Sequence, residues 1–560
     1  MCRIYFLILV ATVLTWGQSY NLPLFMVNTQ GQEIKGDPET YGTLKVVNNA
    51  SGVNQKNDPA TDYQGNIHIN VRGQSSSAFP KKGYALKLRE NPTTSVDASL
   101  LGLPEEHDWV LHGPFVDKTL FRNVIAHRLY QQTGRYSPRT RMIELFINDE
   151  YQGVYVLLEK IKRDKDRVAI KKVDSTVTSG DELSGGYIFR VDKINSIHRD
   201  RQLVDYGFST RTENVNIRWH YPKRTRINEP QKNYLKNYIN NFESVLAGND
   251  WSSQYPNVLD VDAAVDYIMH QELTKNSDAY WSSFFMHKER DSKGGKLILG
   301  PPWDFNLSLG ASSLFSADRV EGWAFDVSKG GGGGGMWGPP NTGGGNTHYD
   351  DTKLGVDKMP SWIAKVFKDN YFQTKAKARW AELRSGVWHS KHIDDFIDSL
   401  ITHVGPAADR NIQKWPLNQS AGMFAMYVTT RSSWNDGSTR SEIGFMRDWI
   451  KRRMNWMDGQ FGFTEPVNPT SPPLNTDPPP PPAPPVPPNT GNPVVPDPGG
   501  QTNPNPWPGW GGGSTPVLTE NPETIKPKAK IYFNGKSLVI RKEGRENEVR
   551  EYNIKGLRSN

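Results

Sequence analysis

Between Val467 and Pro516 the chain is dominated by Pro, Asn, Gly and Thr, with an unbroken proline run from Pro478 to Pro482. Proline fixes φ and removes a backbone donor, so such a stretch enters neither a helix interior nor a central strand. It reads as an extended, semi-rigid spacer. This one feature divides a chain of 560 residues into a long upstream part, 22–465, a linker, 466–516, and a short tail, 517–560. The upstream part has ample length for a large core. In the tail, Lys530 to Ile540 reads as a hairpin with an Asn534-Gly535 turn, and Glu551 to Arg558 follows. A piece this small cannot bury a sizeable core alone. Its expected role is recognition or attachment.

The first residues point to export. Arg3 precedes a largely apolar run from Ile4 to Leu14, and small or polar residues Gly17, Gln18 and Ser19 close the segment. That is the order of a secretory signal peptide, here 1–19. The run is too short for a stable membrane anchor, so no span is expected after cleavage. Cys2, the single cysteine, lies ahead of the apolar run rather than after it, where a lipidated signal would place it. The mature chain then has no disulfide and no thiolate metal site. A net charge of +7 comes without a nucleic-acid-binding motif, so no nucleic-acid partner is expected. The 17 tryptophans and an aromatic content of 11% suit a protein that handles nucleotides, sugars or peptides.

Within 22–465 the hydrophobic period changes once. Ile67 to Val71 and Tyr84 to Arg89 alternate as half-buried strands do. They flank Arg72-Gly73-Gln74-Ser75-Ser76-Ser77, which reads either as an anion cradle of backbone N–H groups and hydroxyls or as a plain hairpin loop. Asp117 is placed to cap a helix over 118–132, with Gly134 beyond its end. Met142 to Ile147 and Tyr151 to Glu159 form a hairpin around Asn148-Asp149-Glu150, and Gly185 to Asp192 holds another strand. Up to here the expectation is a sheet carrying one main helix. From Pro230 helical spacing takes over. A helix over 262–273, capped by Asp260 or Asp262, leads into the polar loop Asn276-Ser277-Asp278, then a hairpin, then Asp304. A glycine-rich insertion spans 328–346, and helices are expected again over 360–400 and 441–461.

The chemistry concentrates at Asp304, set between Trp303 and Phe305 after the apolar run Leu297 to Leu299 and Gly300-Pro301-Pro302. A carboxylate there can hold a metal, hold a substrate hydroxyl or cap the next turn. A hairpin can fold Asp278 back toward it, and Asn276 and Asn306 add amide oxygens. Hard oxygen donors suit Mg²⁺, Mn²⁺ or Ca²⁺ rather than zinc. Lys87, on the strand after the serine-rich loop, is either a phosphate contact or a solvated strand residue. A small-residue loop, a strand lysine, a loop acid and a metal-binding acid are the parts of phosphoryl transfer. Glu144 and Glu159 could instead suggest a glycosidase pair, though nothing sets them across one sugar. His270 and His287 lack zinc-ligand spacing, and no nucleophile elbow, His-Glu-x-x-His or Walker lysine occurs.

The segments Arg72 to Ser76 with Pro80 to Lys87, Asp117 with Phe121-Arg122-Asn123, Glu144 to Tyr155, Asn276 to Ala279, and Gly300 to Asn306 occur in this order. Together they resemble the spore-coat protein H (CotH) kinase family over about 25–465. The resemblance implies an α+β, atypical protein-kinase-like fold with a β-rich N-lobe and a helical C-lobe. It implies transfer of the ATP γ-phosphoryl group to Ser or Thr of proteins, with Mg²⁺ or Mn²⁺. On it, Asp304 corresponds to the metal-binding acid, with Asn306 and Asn276 as further ligands, and Asp278 to the acid that orients the acceptor hydroxyl. Lys87 corresponds to the phosphate-contacting lysine, Arg72 and Ser75 to Ser77 to the covering loop, and Leu158-Glu159 to the adenine-side hinge. Two departures stand out. Asn306 occupies a position where the family commonly has a second acid. The helix after Asp117 has no glutamate to pair with Lys87, and Glu144 is the substitute.

The end of the tail, Tyr552-Asn553-Ile554-Lys555-Gly556-Leu557-Arg558, resembles the sorting tails of bacterial type IX secretion substrates. That implies secretion machinery as a partner and the cell surface or medium as the destination. Two function classes follow. One is a secreted kinase acting on exported or surface proteins. The other is a non-catalytic, kinase-like adhesion module associated with polysaccharide-degrading or cell-surface proteins.

Overall fold

The computed structural model describes residues 18–73, 76–192, 206–326, 359–422, 425 and 427–472, and three strands beyond them. The expected signal segment up to residue 17, the glycine-rich insertion and most of the linker and tail lie outside the described residues. The chain falls into two compact units, Met1–Pro482 and Ala483–Asn560. It is a mixed α+β protein with a β-rich N-terminal region and a helical C-terminal region.

The N-terminal strands are β1 (Ser19–Tyr20), β2 (Leu24–Asn28), β3 (Thr40–Val47), β4 (Asn54–Gln55), β5 (Tyr63–Arg72), β6 (Gly83–Arg89), β7 (Asp108–His112), β8 (Thr140–Ile147) and β9 (Glu150–Glu159). β1 pairs with β4, and the rest close into a barrel in the order β2-β3-β5-β6-β7-β9-β8. Alternation decides the two faces. On β6, Tyr84, Leu86 and Leu88 are buried while Ala85, Lys87 and Arg89 are partly exposed, because successive side chains of a strand point to opposite sides. The sheet expected from the sequence therefore closes on itself, through parallel pairing of β2 with β8. Periodicity carries no sign of a pairing between such distant strands. The β8–β9 turn has Asn148 and Asp149 at φ 48 and 65, the left-handed pair a tight hairpin demands.

Helix α1 (Arg122–Gln131) starts four positions later than Lys118. Leu120 has φ 78, which no right-handed helix accepts. Asp117 still organises the turn: its carboxylate accepts from Arg122 N (2.8 Å), Thr119 Oγ1 (2.6 Å) and Arg122 Nη1 (2.7 Å). After a short α2 (Gly180–Leu183), β10 (Tyr187–Val191), β11 (Gly207–Ser209), β12 (Asn216–Tyr221), β13 (Phe284–Lys288) and β14 (Leu297–Leu299) make an antiparallel sheet, ordered β11-β12-β10-β13-β14.

Helices α3 (Glu229–Ala247), α4 (Trp251–Val258) and α5 (Val261–Thr274) precede the last hairpin of that sheet. α5 is capped by Asp260, which accepts from Ala263 N at 2.9 Å, and buries every residue except Asp262. The region expected as helix over 360–400 is three helices: α6 (Trp362–Phe367), α7 (Asn370–Ser385) and α8 (Ser390–Lys414). α8 runs through Pro406, the residue that argues for an earlier stop. It packs on the barrel where Gly153 has φ 99; a Cβ there would lie 2.5 Å from Asn411 Oδ1, so only glycine fits. α9 (Glu442–Phe461), capped by Ser441, sends the fully buried Arg453 guanidinium to Glu272 O of α5 (2.9 and 2.7 Å). No described helix is long and apolar enough to cross a membrane. In the second unit β15 (Ala529–Phe533), β16 (Ser537–Lys542) and β17 (Val549–Asn553) form an antiparallel three-stranded sheet.

Candidate active site

A cavity of about 450 Å³ lies where the barrel meets the antiparallel sheet. Arg72 and Ser76, then Val110 and His112, then Leu158, Lys160 and Ile161 line it from the barrel side. Arg190, Asp192, His220 and Phe285 line it from the sheet, and Asp278, Ser282, Trp303, Asp304 and Asn306 from the loops around β13 and β14. The structure thus brings Asp278, Asp304, Asn306, Arg72, Ser76 and Leu158 into one enclosure.

Asp304 is delivered by β14 and adopts φ 66, a left-handed conformation that Asp tolerates better than bulky residues do. Phe305 anchors the loop. It is fully buried, with the rings of His127 and His270 edge-on at 5.4 and 5.2 Å. Trp303 faces the cavity and carries the Arg72 guanidinium 5.5 Å from its ring. The peptide group between Asp304 and Phe305 is held at both ends. Asn276 Nδ2 donates to Asp304 O (2.9 Å), and Phe305 N donates to Asn123 Oδ1 (2.9 Å). Asn276 Oδ1 also accepts from Asp278 N at 3.2 Å. Asn276, expected as a metal ligand, is therefore engaged through both amide atoms by the backbone of the two acids, and it does not line the cavity.

Lys87 does not reach this enclosure. It stands on the outward face of β6, where its Nζ bonds the Glu39 carboxylate. The lysine that lines the cavity is Lys160, directly after β9. Glu144, expected as the partner of Lys87, is fully buried elsewhere, held by Arg410 (2.8 and 2.7 Å) and by Tyr151 Oη (2.7 Å). Glu159, beside the cavity residue Leu158, is turned to Arg139 by two bonds of 2.8 Å and to Arg167 at 3.2 Å. These glutamates tie elements together. Ser77 O accepts from Lys82 Nζ at 2.8 Å, and Ser75 lies outside the described residues.

Sequence reasoning missed Lys160, Arg190, Asp192, His112 and Asn123. Arg190 lies over the Phe285 ring at 5.3 Å, donates to Asp192 Oδ2 (2.7 Å) and donates to His220 Nδ1 (3.1 Å). His220 Nε2 then donates to Ile161 O (2.8 Å), which fixes its tautomer. Asn123 Nδ2 donates to His112 Nε2 (3.2 Å). Available signals were position alone: Lys160 follows Glu159, expected at the hinge, Asp192 ends a strand, and Asn123 sits inside a quoted motif.

Burial dominates the electrostatics. It pushes His112 down to about 4 and His220 down to about 3, so both imidazoles are neutral near pH 7. It lowers Arg72, with Asp304 opposing the shift and Arg190 adding to it. It lowers Lys160, where Asp108 opposes and Arg72 adds. Half-buried cations that repel one another favour an anion among them.

The donor set tests the cation expected from the sequence. Asp278, Asp304 and Asn306 present hard oxygens to one cavity, the chemistry Mg²⁺ or Mn²⁺ selects. Among the described residues, only Asp97, Glu106 and His107 bring three His, Cys or acid ligand atoms within 4.8 Å of one another. That cluster is already engaged: Lys162 Nζ bonds Glu106 at 2.6 Å, and His107 Nδ1 bonds Asp97 at 2.5 Å.

Residues 69–457 match the family described as CotH kinase protein. The chain is also similar to the inner spore coat protein H of Bacillus subtilis (strain 168). Identity is 22% over 290 residues, covering 52% of this chain and 70% of that protein. With most of its length, including every cavity residue named above, inside that match, the chain belongs to the CotH kinase protein family.

Proposed function

We propose that this protein is an exported atypical kinase that transfers the γ-phosphoryl group of ATP to Ser or Thr hydroxyls of exported or surface proteins. Barrel and helical region are read as the two lobes of a kinase-like fold, with the cavity as the cleft. The observation that carries the reading is the convergence of Asp278, Asp304 and Asn306 with Arg72, Lys160 and Arg190 in one cavity of about 450 Å³, a volume suited to a nucleotide. Val110, Leu158, Ile161 and Phe285 give the nucleobase apolar walls. Arg72 and Lys160 bind phosphate oxygens, the cations left after Arg190 is engaged by Asp192. Asp278 orients the acceptor hydroxyl and receives its proton. Mg²⁺ or Mn²⁺ held by Asp304 and Asn306 would supply positive charge to the phosphoryl oxygens. The N-terminal segment directs export, and the C-terminal tail addresses a bacterial secretion machinery.

The test uses the full chain with γ-labelled ATP, Mn²⁺ and a mixture of exported proteins as acceptors, beside Asp304→Asn and Asp278→Asn. Label enters protein with the wild type, and both variants lose it by orders of magnitude. Equal label in all three, or none with the wild type, overturns the reading and leaves the kinase-like adhesion module in its place.

A further inference from the structure

The loop that carries Asp304 is held in an unfavourable backbone conformation by side chains from two other elements. Left-handed φ is unfavourable for a non-glycine residue and persists only where surroundings over-determine it. Here the over-determination is visible. Asn123, from the second residue of α1, accepts the Phe305 N–H, and Asn276, just past α5, donates to the Asp304 carbonyl. Both bonds are 2.9 Å, and both grip the same peptide group. The two bonds fix the torsions on either side of that peptide, ψ of Asp304 and φ of Phe305, and so the backbone path from which the Asp304 carboxylate departs. Asn123 is itself oriented. Its Nδ2 donates to His112 Nε2 on β7 at 3.2 Å, which leaves only its oxygen to face Phe305.

We infer that Asn123 and Asn276 are positioning residues that clamp the Asp304–Phe305 peptide, so that barrel strand β7 and helix α1 set the aim of Asp304. The role in transfer rests on the kinase reading proposed above; the clamp does not. Asn276 serves a second acid at once, because its Oδ1 takes the Asp278 N–H. One amide therefore sets the spacing of the two acids. The chain compensates in this way for a site acid standing on a loop rather than on a rigid strand.

Isosteric variants test the clamp in the full chain. Asn123→Asp keeps an oxygen for Phe305 N–H, Asn123→Leu removes it, and Asn276→Asp replaces the donor to Asp304 O with a second acceptor. Amide hydrogen exchange at Phe305 is read first, since it needs no activity. Protection in the wild type and in Asn123→Asp, and its loss in Asn123→Leu, is the expected result; equal protection in all three overturns the clamp. Label transfer is read second. Asn123→Leu and Asn276→Asp lower kcat by about 100-fold, the cost of misplacing a reacting group, with acceptor KM unchanged and Asn123→Asp lowering kcat less than Asn123→Leu. Wild-type kcat in Asn123→Leu after Phe305 has lost protection overturns the positioning role. A wild type that protects Phe305 and transfers no label retains the clamp and refutes the kinase reading alone.

Discussion

Two lysines, one on β6 and one directly after β9, sit in opposite electrostatic settings. Lys87 lies on the outer face, 29% exposed, bonded to a Glu39 carboxylate that also takes His68 at 3.2 Å and Arg89 at 3.9 Å. Its charge is answered on the spot, and water screens the remainder. Lys160 lines the cavity, where burial weakens its charged form, Asp108 supports it, and Arg72, Lys162 and Lys223 oppose it. An outer-face lysine is satisfied without a ligand; a cavity lysine among other cations gains from an anion. The difference teaches where an anion site is to be sought: at cavity cations that outnumber the support they receive.

The sharpest way to break that contrast is a charge that is buried and fully answered. Glu159 has no exposure and is held by Arg139 and by Arg167, whose side chain is also fully buried. Glu159→Gln leaves two guanidiniums short of their carboxylate, a loss of about 3–5 kcal/mol of folding stability. Urea unfolding measures it. A stability loss with unchanged ATP affinity marks Glu159 as architecture; an ATP-affinity loss at unchanged stability returns it to the hinge role its sequence position suggests.

Lys160→Met comes next. Removing a charge-assisted phosphate contact costs about 10–100-fold in ATP affinity, read by calorimetry with Mn²⁺ present. Lys87→Met serves as the control and leaves affinity unchanged. Reversal of the two results would put the anion site on the wrong side of the barrel.

Much of the difference between these lysines could be read from residue order, and part of it could not. Alternation over Tyr84 to Arg89 already sends Leu86 and Leu88 inward and Lys87 outward, so the parity of β6 was legible. Asn148-Asp149 announced its turn, Asp260 and Asp262 narrowed the helix start to two residues, and the Asp278-to-Asp304 hairpin announced its pair of acids. Barrel closure was not legible, because parallel pairing of β2 with β8 is non-local and leaves no periodic trace. Nor was the role of Glu144 or Glu159, since a carboxylate looks alike beside a substrate and beside Arg410 or Arg139. The late start of α1 turns on one torsion, Leu120 at φ 78, which local propensity opposes.

Four histidines, His127 and His270 fully buried and His112 and His220 half-buried, extend the contrast to pH. Burial holds His112 and His270 down to about 4, and His127 and His220 to about 3, against 6.5 for a free imidazole. Their folded pKa values lie below the unfolded one, so below pH 6.5 the unfolded chain binds protons that the folded chain refuses. Stability is therefore full above that pH and falls as the solution is acidified toward 4, by up to about 1.4 kcal/mol per unit for each histidine. Melting temperature across that window measures it. His270→Gln should flatten the slope by one histidine's share, and an unaltered slope would assign the acid sensitivity to carboxylates instead.

The smallest effect belongs to the outer face itself. Lys87 and Glu39 are each more than a quarter exposed, and pairs of that kind contribute about 0–1 kcal/mol. In a double-mutant cycle of Lys87→Met and Glu39→Gln, the coupling should stay within that range and shrink with added salt. Glu39 also faces His68 and Arg89, so Lys87→Met leaves the carboxylate still partnered and costs less than Glu39→Gln, which strands three basic groups on one face. A coupling of several kcal/mol would mean that the outer face is effectively buried under conditions of assay. The contrast between an answered and an under-answered lysine would then no longer rest on exposure.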